Sequence, residues 1–130
     1  YAQDNFSSDV LCQEALSQIR TTLAHDTGLW VLSPHAQARS EWPLSGLYNN
    51  TLTQVVLDRS FVADGRRWII DFKTSTPGEQ DSKADFIRQE VARYTPQLHK
   101  YRAICLGIDP APAVTALYFS AIGELVVVHD

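Results

Sequence analysis

The sequence predicts a single α/β (α+β) domain, and three observations carry that prediction. Two apolar strands, residues 52–62 and 66–74, bracket the tight-turn dipeptide Asp64-Gly65. A stretch with helical patterning follows over residues 83–106. Two further apolar runs, residues 114–120 and 124–128, end the chain. Strands on both sides of a helix call for a sheet with helices packed on it. At 130 residues and 45% hydrophobic content, the chain can bury the core of one domain, residues 1–130.

Each element has its own signal. Ser8 or Asp9 caps a first helix reaching about His25, with Val10, Leu11, Ala15, Leu16, Ile19 and Leu23 at helical spacing, and Gly28 breaks it. Residues 30–32 read as a short extended piece. Residues 37–44 read as a weak strand with Pro43 near its end, and residues 45–50 as turn-rich. The Asp64-Gly65 hairpin comes next, then a polar loop over 75–82. Ser82 and Asp85 resemble a capping box opening a helix over 83–93. Thr95-Pro96 reads as a fresh cap with proline at the first helical position, starting a second helix over 96–106 that Asp109-Pro110 ends. The order is α-β-β-β-α-β-β, with that α region in two pieces.

Composition narrows the function classes. No apolar run reaches the ~18 residues that span a membrane, and with no basic stretch followed by an apolar one at its start, no signal peptide is expected. Methionine is absent, even at position 1, so the chain is expected to be a piece of a longer protein. Cys12 and Cys105 form no CxxC pair and no zinc spacing, and read as buried free thiols of a cytosolic protein. The net charge of −4 argues against nonspecific coating of nucleic acid. The charge is unevenly spread: residues 59–102 hold nine Lys/Arg against six Asp/Glu, and the remainder two against nine. A positive central segment suits an anionic substrate, although a solvated surface would give the same count.

That segment contains Ile69-Ile70-Asp71-Phe72-Lys73-Thr74-Ser75. If Asp64-Gly65 is a two-residue turn, residue 63 pairs with 66, 62 with 67, and Asp58 falls opposite Asp71. Cross-strand partners have Cβ atoms about 4.5–5.5 Å apart. Two carboxylates that close, flanked by Val55, Val56, Leu57, Ile69 and Ile70, repel at a cost that grows with burial. A hard divalent cation such as Mg²⁺ resolves that cost, since it takes oxygen ligands. Lys73 shares the sheet face of Asp71, where an ammonium can stabilise charge on a phosphate. The bland alternative is a pair of surface aspartates with salt-bridge partners.

Three ordered motifs, Asp58, Asp71-Phe72-Lys73 and Gln97-x-x-x-Tyr101, resemble the PD-(D/E)xK nuclease superfamily. More narrowly, they resemble the C-terminal nuclease domain of RecB/AddA-type, UvrD/Rep-like helicase-nucleases, over roughly residues 38–128. The resemblance implies a restriction-endonuclease-like core, a central mixed sheet flanked by helices. It also implies a Mg²⁺- or Mn²⁺-dependent exonuclease acting on DNA for a repair helicase in the bacterial cytosol. Asp58, Asp71 and the Phe72 carbonyl would be metal ligands and Lys73 the catalytic lysine, with Gln97, Tyr101 and Arg59 facing DNA. Many family members add a histidine or glutamate ligand from an earlier helix. Here that ligand is expected on chain preceding this segment, with His25 and Glu41 the candidates within it, while His35 reads as a surface residue. Ser40-Glu41-Trp42-Pro43-Leu44 resembles the Glu-containing strand of AddA-like members. Two cysteines do not supply the four of iron–sulfur members, so no cluster is expected. The implied partners are DNA, the helicase part of the same parent chain and a partner helicase-nuclease subunit. Cleavage by the isolated chain is expected to be weak. The alternative is a catalytically silent nuclease fold used for DNA binding or subunit contact.

Overall fold

The computed structural model describes residues 2–129, with side-chain surroundings from Val10 onward. Its elements are α1 (Ala2–Ala24), α2 (Asp26–Leu32), β1 (Ala36–Tyr48), β2 (Thr51–Ala63), β3 (Arg66–Lys73), α3 (Lys83–Ile108), β4 (Ala113–Phe119) and β5 (Glu124–His129). The strands form one mixed sheet in the order β1-β2-β3-β4-β5. Only the β3–β4 pairing is parallel, as the α3 crossover requires.

The β1–β2 and β2–β3 hairpins each turn on two residues with positive φ, as the twist of paired strands demands. Asp64 and Gly65 (φ 54° and 73°) join β2 to β3, as the sequence predicts. Asn49 and Asn50 (φ 51° and 62°) join β1 to β2, so the first strand runs on through residues expected to be a turn. Pro43 is tolerated inside it because β1 is an edge strand and Pro43 is exposed.

The sheet buries both faces. Ile69 packs with Leu44, Val55, Leu57, Ile104 and Cys105 on the α3 side. Its neighbours Trp68 and Ile70 pack with Val31, Phe61, Val114 and Tyr118 on the α2 side. The extended piece expected at residues 30–32 is the last turn of α2. Gly28 does not break the first helix; the break comes at His25. Gly28 instead lets α2 close on the sheet, since a Cβ there would lie 2.2 Å from the Thr22 carbonyl oxygen and 2.6 Å from the Tyr118 hydroxyl. The apolar residues of α1 are less buried than their periodicity suggests: Leu11, Leu16, Ile19 and Leu23 are all exposed. Cys12, expected to be buried, is exposed there too, whereas Cys105 is buried, which pushes its thiol up.

The two helices expected over 83–106 are one. Ser82 caps it, its hydroxyl accepting from the Asp85 N–H at 3.1 Å. The helix continues through Pro96, and the Thr95 hydroxyl donates back to the Val91 carbonyl at 2.5 Å instead of capping a new start. Proline inside a helix costs about 3 kcal/mol. Burial of Phe86 before it and of Leu98, Ile104 and Cys105 after it offsets that cost.

Candidate active site

The hairpin register matches expectation as far as it extends: Ala63↔Arg66, Val62↔Arg67, Phe61↔Trp68, Ser60↔Ile69 and Arg59↔Ile70. There the ladder stops. One step on, Asp58 Oδ2 accepts a hydrogen bond from the Phe72 backbone N–H at 2.9 Å. The side chain of β2 takes over from its backbone, so the strands part where Asp58 meets Asp71. The change of face along β2 has the same origin. Leu57 and Phe61 share a parity, yet Leu57 packs under α3 and Phe61 on the opposite face.

A residue in a strand directs its N–H and C=O to the same neighbour. Since the Phe72 N–H meets Asp58, its carbonyl also opens toward the gap between β2 and β3. Asp71 stays anchored on its other side, paired with Leu117 of β4.

Asp71 is 5% exposed and Asp58 half-buried. Burial pushes the Asp71 carboxyl up to about 6, hydrogen bonding with Asp58 pushes the same way, and Lys73 opposes both. The Lys73 Nζ lies 2.8 Å from Asp71 Oδ2 and 3.6 Å from the centre of the Tyr94 ring. The first of these is a charge contact, because among the described residues Asp71 Oδ2 accepts no well-aligned hydrogen bond.

Helix α3 forms the opposite wall. Gln97 Nε2 donates to the Tyr101 hydroxyl, one turn apart on one face. Burial pushes the Tyr101 hydroxyl up, and the charges of Asp71 and Asp58 push in the same direction, so the phenol lies within their field. The structure therefore brings Asp58, Asp71, Phe72, Lys73, Gln97 and Tyr101 together.

Other candidates lie elsewhere. His25 sits at the α1–α2 junction, its Nδ1 2.7 Å from the Thr21 carbonyl oxygen and its ring against Gly123. Arg59 clamps the end of α2, donating to the carbonyls of Val31 (3.1 Å) and Ser33 (2.8 Å) and to the Ser40 hydroxyl (3.1 Å). The pairs Ser40↔Arg59 and Trp42↔Leu57 put Glu41 level with Asp58, but its backbone takes φ 49° and its side chain is exposed. His35 is half-buried and not a surface residue, stacked on Phe61 at 4.0 Å. Among the described residues, no three His, Cys, Asp or Glu side chains gather to hold a metal ion. An apolar cavity of about 500 Å³ lies on the other side of the sheet, between α1 and Phe72, Thr74, Tyr118 and Ser120.

Tyr94 and Glu90 escaped the sequence reading. Glu90, Tyr94, Gln97 and Tyr101 recur at helical spacing, but dividing the helix at Thr95 hid the continuity. Two oxygen donors in contact, a proton held up to about pH 6 and a poorly bonded buried carboxylate oxygen suit a hard divalent cation. No protein-family model matches the chain, and no curated protein matches it. Among the described residues no helix is long and apolar enough to cross a membrane.

Proposed function

We propose that the chain is a Mg²⁺- or Mn²⁺-dependent DNA nuclease domain of the PD-(D/E)xK, RecB/AddA type, hydrolysing phosphodiester bonds as the exonuclease part of a repair helicase. The observation that carries this reading is the meeting of Asp58 and Asp71 where β2 and β3 part, with Lys73 beside them and one face of α3 above. Asp58, Asp71 and the Phe72 carbonyl would hold the cation. Bound there, it would polarise a phosphoryl oxygen and acidify water.

The chain's own residues supply the rest. The Lys73 ammonium, between Asp71 and the Tyr94 ring, is placed to stabilise negative charge growing on a phosphate in hydrolysis. Gln97 and Tyr101 present an amide and a phenol to orient a strand lying along α3. Arg93, exposed on the same helix and 5.9 Å from the Tyr94 ring, offers a phosphate contact at the rim.

The second reading, a silent nuclease fold serving DNA binding or subunit contact, is favoured by one observation. Lys73 neutralises Asp71 directly, and no third ligating side chain joins the pair among the described residues. Calorimetric Mn²⁺ titration with single-stranded DNA cleavage separates the two. Saturable binding lost in Asp58→Asn, together with cleavage by the chain or a longer parent, supports the nuclease. DNA binding without cation binding supports the silent fold.

A further inference from the structure

Glu90 is an anomaly in the helix that covers the site. It is 9% exposed, and its Oε2 is buried with no hydrogen-bond partner among the described residues. Its ion-pair contact is with Arg93, whose Nη1 stays 4.0 Å from Oε1 and whose side chain is 71% exposed. A carboxylate placed this way is costly unless a cation or donors reach it. Packing alone would be served better by leucine.

Its position says which group can reach it. One turn earlier on α3, Phe86 packs edge-on against Phe119, with ring centres 5.5 Å apart. One turn later, Tyr94 takes the Lys73 ammonium on its ring. Phe119 and Lys73 are themselves partners across β3 and β4. Glu90 therefore lies on α3 between the ring packed on Phe119 and the ring that the ammonium touches, one helical turn from each. The Lys73 ammonium rests on Asp71, 2.8 Å from its Oδ2.

We infer that Glu90 is a positioning residue for Lys73: the carboxylate to which the ammonium turns when Asp71 is engaged elsewhere. This rests on the proposed nuclease reading for its purpose, since a cation on Asp58 and Asp71 would displace Lys73. A lysine released into solvent would be useless at that moment. Glu90 holds it over the site, between its own carboxylate and the Tyr94 ring, and the unpartnered Oε2 is the place kept for it.

The test does not depend on cleavage. Asp71→Asn removes the first carboxylate without any metal, so the hand-over can be read from Lys73 acylation by an amine-reactive ester, followed by peptide mass spectrometry. Four proteins are compared: wild type, Glu90→Gln, Asp71→Asn and the double variant. In the single variants one carboxylate still holds the ammonium, so acylation stays within about threefold of wild type, while the double variant rises about tenfold or more. A double variant no faster than Asp71→Asn overturns the proposal. So does Glu90→Gln alone matching the double variant, which would mean that Glu90 merely stiffens the helix. Thermal melts accompany each protein, and Glu90→Gln should melt no lower than wild type because it removes an uncompensated buried charge. A lower melt overturns the view that Oε2 is unpartnered. Mn²⁺ affinity gives an independent arm: within about threefold of wild type for Glu90→Gln supports positioning, whereas a loss of about tenfold makes Glu90 a cation ligand and overturns it. If Asp58→Asn and wild type both fail to bind Mn²⁺, the nuclease reading falls, and the acylation result still decides the role of Glu90.

Discussion

Asp58 accepts the backbone N–H of Phe72 at 2.9 Å, one step beyond the last paired residues of β2 and β3, Arg59 and Ile70. A side chain thus replaces a ladder bond. The exchange brings a second carboxylate against Asp71 without leaving the Phe72 N–H unsatisfied, and it frees the backbone beside it. The same bond predicts how substitutions at Asp58 should behave.

Asp58→Asn keeps an acceptor oxygen for Phe72, whereas Asp58→Ala strands that N–H at a cost of about 1–3 kcal/mol. Asn is therefore the cleaner probe. It should fold with wild-type stability, bind Mn²⁺ at least about tenfold more weakly and lose cleavage. Alanine should lose both binding and some stability. Urea denaturation beside calorimetric titration measures the two effects, and an Asn variant cleaving at the wild-type rate would remove Asp58 from the site.

The raised Asp71 carboxyl makes a pH prediction with an unusual sign. Its ordinary value is 3.8 and its folded value about 6, because burial and then Asp58 disfavour the charged form. The folded state therefore holds this proton more tightly than the unfolded chain. The stability it adds is fully present below about pH 4 and is lost as pH rises through about 6, a change of about 3 kcal/mol at most. Asp109 acts oppositely: the Ala111 N–H and then Arg67 lower its value, so its stability is lost as pH falls. The measurement is wild type against Asp71→Asn in denaturant between pH 3.5 and 7.5 without divalent cations, which cancels the carboxylates that do not touch Asp71. The wild type should lose ground to the variant between about pH 4 and 6 and level off above that. A constant difference would mean that Asp71 titrates normally.

Lys73→Ala should separate binding from turnover. The ammonium contacts Asp71 and the Tyr94 ring and is no cation ligand. Mn²⁺ affinity should hold or improve, because a competing positive charge has gone. Cleavage should fall by about 10²–10³, the effect of losing one electrostatic stabiliser. Affinity and rate lost in the same proportion would contradict that division.

The hairpin was legible because turn chemistry is local. Asp64-Gly65 sets the register, and the register sets Asp58 against Asp71. Asn49-Asn50 carried a comparable signal, but Pro43 and Gly46 masked the strand leading into it. Gly28 looks like a breaker in sequence, and only the closeness of Thr22 and Tyr118 shows why glycine stands there. Arg59 looked suited to DNA, because nothing in its neighbours reveals that α2 ends against it. The contacts of Gly28 with Tyr118 and of Arg59 with α2 are long-range, and no window of residues around either position contains them. The α3 face was lost to a local rule applied where packing overrode it.

Pro96 makes that override measurable. The helix runs through it, so it lacks an N–H for the Ala92 carbonyl and fills an exposed position where alanine would fit. Proline is about 3 kcal/mol worse than alanine in a helix interior, and its stiffening of the unfolded chain returns about 0.4–1 kcal/mol. Pro96→Ala should thus stabilise the protein by about 2–2.5 kcal/mol, with an unchanged denaturant slope. The gain should cost function. Proline bends helices, and this one lies between Tyr94, which holds Lys73, and Gln97, which holds Tyr101. Straightening the helix moves one pair relative to the other, so cleavage should fall several-fold while Mn²⁺ affinity, set by the hairpin, stays put. Denaturation, titration and cleavage on this one variant check all three. A variant that is destabilised would show that α3 is two helices meeting at Thr95, with Pro96 at the start of the second.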